Sequence, residues 1–273
     1  MITASLVTYH NSVSDIERVL NSALNSCIDK IYIIDNSKTD LFRSFEQLSS
    51  KIEYIRNNNN GYGAGNNLAI KRAIELDNAT YHIVLNPDIY FEKGVIEELV
   101  SYMDLNSEVG LVMPKVFYPN GELQYLCKLI PTPVDILFRW LLSPAKFKER
   151  DIRFKLLFTG YNKSMNVPYL SGCFMFFRVN ALKEVGCFDE RFFMHFEDLD
   201  ISRRVHNKYR TMYYPSVSIV HAHAASHRKN IKMLGIGISS AIKYFNKWGW
   251  VFDKERTLVN KELLKELEYK KTK

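Results

Sequence analysis

Along the first third of the chain, short apolar runs alternate with stretches whose apolar residues recur at helical spacing. "ASLVTY" (4–9), "KIYIIDN" (30–36), "IEYIRN" (52–57) and "YHIVLNPD" (81–88) each read as a strand, and the last three end in polar residues. Between them, Val13, Ile16, Val19, Leu20 and Ala23 share one face of a helix over 13–24, and further helices are predicted over 41–49 and about 64–77. This β-α-β-α-β-α-β order builds a largely parallel sheet with helices on both faces. Ligands on such sheets bind beyond the carboxyl ends of the strands. The polar ends Asp35-Asn36, Asn57 to Gly61 and Asn86-Pro87-Asp88 should therefore converge on one edge.

The later pattern is less regular. A helix is expected over 94–105, and "VGLVMPKVFYPNGELQYL" (109–126) reads as strand, Asn-Gly turn, strand. Residues 127–166 interleave apolar and basic side chains with prolines. They predict an insertion of short amphipathic helices, either a cover for the core or a face for a membrane surface or lipid acceptor. "VPYLSGCFMFFRV" (167–179) reads as a buried strand and 209–223 as two short strands. A helix should start near Asp198, since Ile201, Val205 and Tyr209 repeat every four residues. Residues 231–270 read as helical, broken near Trp248-Gly249-Trp250.

Composition narrows the class. At 273 residues, with 47% apolar and 25% charged, the chain suits one large domain or a domain with an appended lobe, and excludes wholesale disorder. The net charge of +7 suits an anionic partner: nucleic acid, nucleotide, lipid phosphate or membrane surface. Cys27, Cys127, Cys173 and Cys187 form no CxxC pair and no disulfide framework, which points to a reducing compartment. The first residues, "MITASLVTYH", lack a basic region with a long apolar run, and no stretch of about 18 apolar residues occurs. A cytoplasmic protein is the expectation.

Four stretches carry candidate chemistry. In "NNNNGYGAGNNLAI" (57–70), glycines precede a helix whose first amides favour an anion, although no dinucleotide fingerprint occurs. In "LNPDIYF" (85–91), Asp88 ends a strand, where a carboxylate either holds a hard cation or closes an ordinary turn. In "HAHAASHRKN" (221–230), two histidines two apart suit a metal or a diphosphate, or simply an exposed strand end. "FFMHFEDLDISRR" (192–204) crowds Glu197, Asp198 and Asp200 at a helix start. First-turn acids are stabilised there by about 0.3–1 kcal/mol each. Aromatic surroundings also raise carboxylate pKa values, and close acids split theirs, which suits a general base.

Together these stretches resemble the family 2 glycosyltransferases, inverting enzymes of the GT-A fold. The subgroup they are most similar to is the bacterial rhamnosyltransferases of O-antigen and surface polysaccharide synthesis. "SLVTYHNS", "IYIIDNSKTD", "NNGYGAGNNLAI", "LNPDIYF", "YLSGCFMFFR", "FDERFFMHFEDLDISRR" and "VHAHAAS" occur in the family's order between residues 5 and 226. The resemblance implies a GT-A (nucleotide-diphospho-sugar transferase) fold, with a mostly parallel sheet flanked by helices. It implies a transferase domain over 1–226, with 127–166 as an amphipathic acceptor-side insertion, and a helical extension over 227–273.

It also implies roles. Thr8, Tyr9, Asp35, Asn60, Gly61, Tyr62, Asn66, Asn86 and Gly172 fall at donor-nucleotide positions. Asp88 stands at the metal end of the DxD-type motif, where Asn86 replaces the first acid and removes one carboxylate from the metal's share. Asp198 is the base position, with Glu197 as fallback, while Asp200 reads as an ion-pair residue near Arg203 and Arg204. His221 matches a late metal or diphosphate ligand, with His223 as competitor. The cofactor implied is Mg²⁺ or Mn²⁺. The partners are a nucleoside-diphosphate sugar, with dTDP-rhamnose a candidate, and a lipid-linked saccharide acceptor. Nucleic acid is not among them. Peripheral contact with the inner face of the membrane follows from the acceptor, the apolar-basic insertion and the basic tail. Two other classes compete. A sugar-phosphate nucleotidyltransferase would need a Gly- and Arg-rich loop after the first strand, which "VTYHNSVSD" lacks. A non-catalytic sugar-nucleotide-binding scaffold would not need the "ED" pair.

Overall fold

The computed structural model describes residues 1–136, 148–222 and 231–270. Four parallel strands open it: β1 (Ile2–Thr8), β2 (Lys30–Asp35), β3 (Ile52–Arg56) and β4 (Tyr81–Leu85), side by side as β3-β2-β1-β4. Side-chain alternation decides which helix covers which face. Ile31 and Ile33 of β2 share a core with Ile16, Val19 and Leu20 of α1 (Val13–Leu24). Tyr32 and Ile34 point the other way, onto Ala69 of α2 (Tyr62–Glu75). Strands covered on both faces are mostly apolar, and every residue of β1 and β4 is buried, the polar Thr3, Ser5, Thr8 and His82 included. Between β2 and β3 the expected helix is a 3₁₀ helix, Arg43–Leu48. Its apolar anchors Phe42 and Phe45 lie three residues apart, with rings stacked at 6.2 Å, and a three-residue turn aligns that spacing.

The rest of the chain follows in order: β5 (Ile89–Tyr90), α3 (Val95–Leu105), β6 (Val109–Phe117), α4 (Lys148–Phe154), β7 (Met165–Asn166), β8 (Phe174–Arg178), α5 (Val179–Val185), α6 (Glu197–His206), β9 (Arg210–His221), α7 (Ile231–Trp248) and α8 (Lys254–Glu266). β8 enters antiparallel between β4 and β6, and β6 pairs parallel with β9. The sheet is therefore parallel across its first four strands and mixed beyond them, in the order β3-β2-β1-β4-β8-β6-β9-β5 with β7 also on β9.

Two sequence expectations change here, and a third resolves in part. The hairpin over 109–126 shrinks to one bridge, Phe117 with Leu123, because β6 already has β8 and β9 as neighbours. The two strands over 209–223 are one strand: the register jumps from Pro114/Tyr214 to Lys115/Ser218, and Pro215, Ser216 and Val217 bulge out. The described part of 127–166 covers the core, burying Cys127, Leu129, Phe154, Leu156, Tyr161 and Met165 beside Val84, Met175 and Phe177. The remainder of that insertion lies outside the described residues. All four cysteines are free thiols.

The C-terminal helices are clamped to α6. Arg203 is 1% exposed and donates to both oxygens of Asp253 at 2.7 and 2.8 Å and to Glu255 at 2.8 Å. Its guanidinium also lies 4.0 Å over the Trp248 ring. Asp200 accepts from Arg204 at 2.8 Å, from the Trp248 indole at 2.8 Å and from Lys247 at 2.7 Å. The acid read as an ion-pair residue does pair with Arg204, while Arg203 turns to the extension instead.

Candidate active site

Strand register gathers the polar strand ends. Thr8 lies opposite Asp35 in the β1/β2 ladder, and Asn57 N–H donates to the Asp35 carbonyl at 2.9 Å. The Asp35 carboxylate is buried and fully engaged: Oδ1 accepts from Thr8 Oγ1 at 3.1 Å and from the Ser37 N–H and Oγ at 2.9 and 2.5 Å, and Oδ2 accepts from Tyr54 at 3.0 Å. Tyr9 stands exposed beside this cluster.

The turn into α2 needs glycine at 61. Its φ is +112°, and a Cβ there would stand 2.4 Å from the Phe193 carbonyl oxygen. The next residue uses that proximity: Tyr62 N–H donates to the same oxygen at 2.8 Å. The Tyr62 hydroxyl sits between two acceptors, Asn86 Oδ1 at 2.8 Å and the Gly172 carbonyl at 2.9 Å. Burial, then the nearby Glu197 charge, push its phenol well above the ordinary range. Asn66 is buried and spans from Ser5 Oγ, 2.6 Å, to the Tyr62 carbonyl, 3.1 Å, so it fastens α2 to β1. Asn60 is exposed on the approach to this turn.

Asp88 and His221 meet because β5 pairs antiparallel with β9, placing Ile89 opposite His221. His221 is buried, with Nε2 3.2 Å from Asp88 Oδ1. Gln124 fixes the ring: its Nε2 donates to the His221 carbonyl at 2.7 Å, which turns its Oε1 toward His221 Nδ1 at 3.0 Å. Nδ1 must then carry the proton, so in the neutral ring the Nε2 lone pair faces a carboxylate oxygen. Two lone-pair atoms so placed suit a shared cation. Among the described residues no group of three or more His, Cys, Asp or Glu side chains could hold a metal ion. His223 lies outside the described residues.

The acids form the other half of the site. Asp198 Oδ2 accepts from Gly172 N–H at 3.0 Å and lies 3.5 Å from the Tyr169 hydroxyl, and Oδ1 accepts from Leu199 N–H at 2.8 Å. A Cβ at Gly172 would come within 3.0 Å of Asp198 Cβ, so the approach needs glycine. Asn86 N–H donates to the Cys173 carbonyl at 3.0 Å, joining this strand to the donor edge. The Cys173 thiol is pushed up to about 12 by burial, and both Asp88 and Asp198 are near enough to raise it further. His195 and Phe196, just before the acids, hold φ of +68° and +70°, a strained pair costing about 1–3 kcal/mol each. The packing of Phe196 on Tyr244 and Phe245, and the 2.8 Å bond from Ser240 Oγ to the Met194 carbonyl, hold that turn. A buried Phe or Tyr supplies about 1.5–3 kcal/mol, enough to offset the strain.

Glu197 is buried, and its carboxyl is pushed up to about 8 by burial and then by the Asp198 charge. Burial and the Asp198 charge thus favour its neutral form, while Asp198, whose oxygens accept from two backbone amides, is the acid suited to take a proton. A carboxyl raised on folding stabilises fully below its unfolded value and loses that contribution as pH rises through about 8. Glu197→Gln should consequently gain on the natural chain in urea stability between pH 5 and pH 9. A gap that is flat or opposite in sign would remove the protonated-acid assignment.

The structure thus brings together Thr8 with Asp35, Tyr62 with Asn86 and Gly172, Asp88 with His221, and Gly172 with Asp198. Gln124 and Tyr169 were not signalled by the sequence. Each acts through a partner at least 29 residues away, as in Tyr169 with Asp198.

The model of Glycosyl transferase family 2 matches residues 6–186. Over 202 residues the chain is 25% identical to the low-salt glycan biosynthesis hexosyltransferase Agl10 of Haloferax volcanii, covering 73% of this chain and 60% of that protein. Over 197 residues it is 26% identical to the N-acetylglucosaminyl-diphospho-decaprenol L-rhamnosyltransferase of Mycobacterium tuberculosis, covering 63% and 62%. It is 24% identical over 200 residues to the rhamnosyltransferase WbbL of Escherichia coli, covering 70% and 72%. The chain thus spans about 60% of the length of the first two relatives. Among solved structures it superposes on S. aureus TarS 1–349 in complex with UDP-GlcNAc, with TM-score 0.60 and 16% identity over 96% of this chain and 71% of that one. It also superposes on GalNAc-T7 with UDP, GalNAc and Mn²⁺, with TM-score 0.61 and 13% identity over 98% and 54%.

Proposed function

The chain belongs to glycosyl transferase family 2 and has its GT-A fold, and on that footing we propose that it moves a sugar, with inversion, from a nucleoside-diphosphate sugar to a lipid-linked saccharide. The observation that carries the reading is the Asp198 carboxylate, held on the Gly172 amide beside the edge where Asp88 meets His221. Asp198 takes the proton of the acceptor hydroxyl. That oxygen bonds to the anomeric carbon while the bond to the diphosphate oxygen breaks, and the nucleoside diphosphate leaves. Glu197, kept neutral, adds no second charge that would compete for the proton. Asp88 and His221 would hold Mg²⁺ or Mn²⁺, which when bound neutralises the diphosphate.

Thr8, Tyr9, Asp35, Asn60, Gly61, Tyr62, Asn66 and Asn86 form or brace the nucleotide edge, and Gly172 lies between donor and acceptor. Lys128, 4.4 Å over the Tyr169 ring, puts a cation on the acceptor side of the base. We assign residues 1–226 to the transferase domain, 127–166 to its acceptor side and 227–273 to the extension. Two relatives are named rhamnosyltransferases, which supports rhamnose as the sugar, and one of those names carries a decaprenol diphosphate, which supports the lipid-linked acceptor. Among the described residues no helix is long and apolar enough to cross a membrane. The free thiols fit a cytoplasmic protein in peripheral contact with the inner face of the membrane.

The test is a thermal-shift screen of purified protein against nucleotide sugars, with and without EDTA, followed by transfer assays on the donor that binds. A donor at 100-fold its Kd adds about 2.7 kcal/mol. For a chain of this size that raises Tm by roughly 5–10 °C. EDTA or Asp88→Asn should remove most of the shift. If no nucleotide sugar stabilises the protein, the reading fails; binding without turnover would favour a scaffold.

A further inference from the structure

The outer face of α7 is apolar and unpartnered within the described residues. Ile231, Leu234, Ile238 and Ile242 are 86%, 46%, 39% and 44% exposed. Their spacing puts them on one stripe, about 16 Å long at 1.5 Å per residue. The opposite face of the same helix buries Ser240, Ala241, Tyr244 and Phe245, so the stripe is not forced outward by a poorly docked helix. One turn beyond Ile242, Asn246 Oδ1 accepts from the Trp250 indole at 2.8 Å, which carries the apolar surface on to Val251 and Phe252 at 74% and 94% exposure. An exposed Phe at 94% contributes nothing to the packing of this chain.

Charge says what covers that face. Residues 227–273 hold twelve Lys and Arg against five Asp and Glu, which equals the chain's entire net charge of +7, while residues 1–226 hold 25 of each. An apolar stripe with a Trp-Phe tip inside a basic segment is the pattern of a helix lying in an anionic lipid interface. The stripe also backs onto the catalytic turn. Ser240, on the buried side of the same helix, bonds to Met194, and Ile136 and Tyr169 pack against the same cluster.

We infer that α7, with the 250–252 turn, is a docking face for the surface of an anionic bilayer, with Ile231, Leu234, Ile238, Ile242, Val251 and Phe252 seated among the headgroups. This deepens the lipid-linked-acceptor reading, whose membrane contact was placed only in the insertion and the tail. Its test needs neither donor nor acceptor, so the two readings fail separately.

The full chain is sedimented with vesicles of phosphatidylglycerol and phosphatidylcholine, and with phosphatidylcholine alone, at low and high salt. Binding is expected with phosphatidylglycerol at low salt, weakening as salt rises. Ile238→Glu/Ile242→Glu and Val251→Ser/Phe252→Ser should each lower vesicle affinity at least tenfold. Their Tm and nucleotide-sugar shift should stay within error of the natural chain, since none of these side chains is buried. Binding that is unchanged in both variants, indifferent to phosphatidylglycerol or absent at low salt would overturn the inference. So would a dimer in light scattering that Ile238→Glu/Ile242→Glu disperses, since the stripe would then face a second copy.

Discussion

Asp198→Asn should lower turnover by about 10²–10⁴-fold, the range for losing a positioned base, with the donor-induced thermal shift kept. The isolation of the effect follows from the contacts. Asp198 touches the Gly172 and Leu199 amides and lies near the Tyr169 hydroxyl, while the Gly172 link to the nucleotide edge runs through its carbonyl to Tyr62, which the substitution leaves in place. Asparagine offers one acceptor where the carboxylate offers two. Its amide must therefore oppose one of the two N–H groups, costing about 1–3 kcal/mol of stability. Urea unfolding of the variant separates that cost from the rate. Glu197→Gln is the contrast: it replaces a neutral acid by a neutral amide, so it should lose far less than Asp198→Asn. Near-normal turnover by Asp198→Asn, or a larger loss from Glu197→Gln, would move the base to Glu197.

Arg203→Met should cost about 3–5 kcal/mol, the range for removing one partner of a buried ion pair. A domain's whole margin is about 5–15 kcal/mol. Asp253 is 3% exposed, and the substitution leaves its carboxylate without the guanidinium that engages both oxygens. Burial alone would raise the Asp253 carboxyl, but the bonds and charges of Arg203 and Arg256 together outweigh it and hold it below the ordinary value. A carboxyl depressed on folding stabilises above its unfolded pKa and loses that contribution as pH falls through the folded one. The gap between the natural chain and Arg203→Met should therefore narrow in acid. Arg203→Met/Asp253→Leu should recover little of the loss, because Asp253 also caps α8 through the Arg256 N–H at 2.9 Å and lies 3.7 Å from the buried Arg256 guanidinium, which the double variant would strand. A loss below about 1 kcal/mol in urea at pH 7 would count against the clamp.

The parallel half of the sheet was legible because its strands are short runs dominated by apolar residues and α1 carries a clean stripe of Ile16, Val19 and Leu20. The two-residue β5 has no period to detect, yet it delivers Asp88 to His221. β9 read as two strands because Pro215 signals a break, and only its partner β6 shows that a bulge absorbs it. Motif order marked Asp198 as the base position with Glu197 as fallback, but gave no sign that Glu197 is the more deeply buried of the two. The bracing of Asp200 by Trp248 could not be read locally, since a contact across 48 residues leaves no trace in a helical window.

Tyr62 carries one proton between two acceptors, Asn86 Oδ1 and the Gly172 carbonyl. Asparagine at 86 resolves the shortage, because its amide can turn and donate to the phenol oxygen, freeing the proton for Gly172. The bonds then run from the end of β4 through Tyr62 to Gly172, in the turn before β8, whose amide holds Asp198. An ionised aspartate accepts only and could not start such a relay. The asparagine at 86 thus gives the Tyr62 hydroxyl a partner that can accept in one orientation and donate in the other, which a carboxylate cannot do.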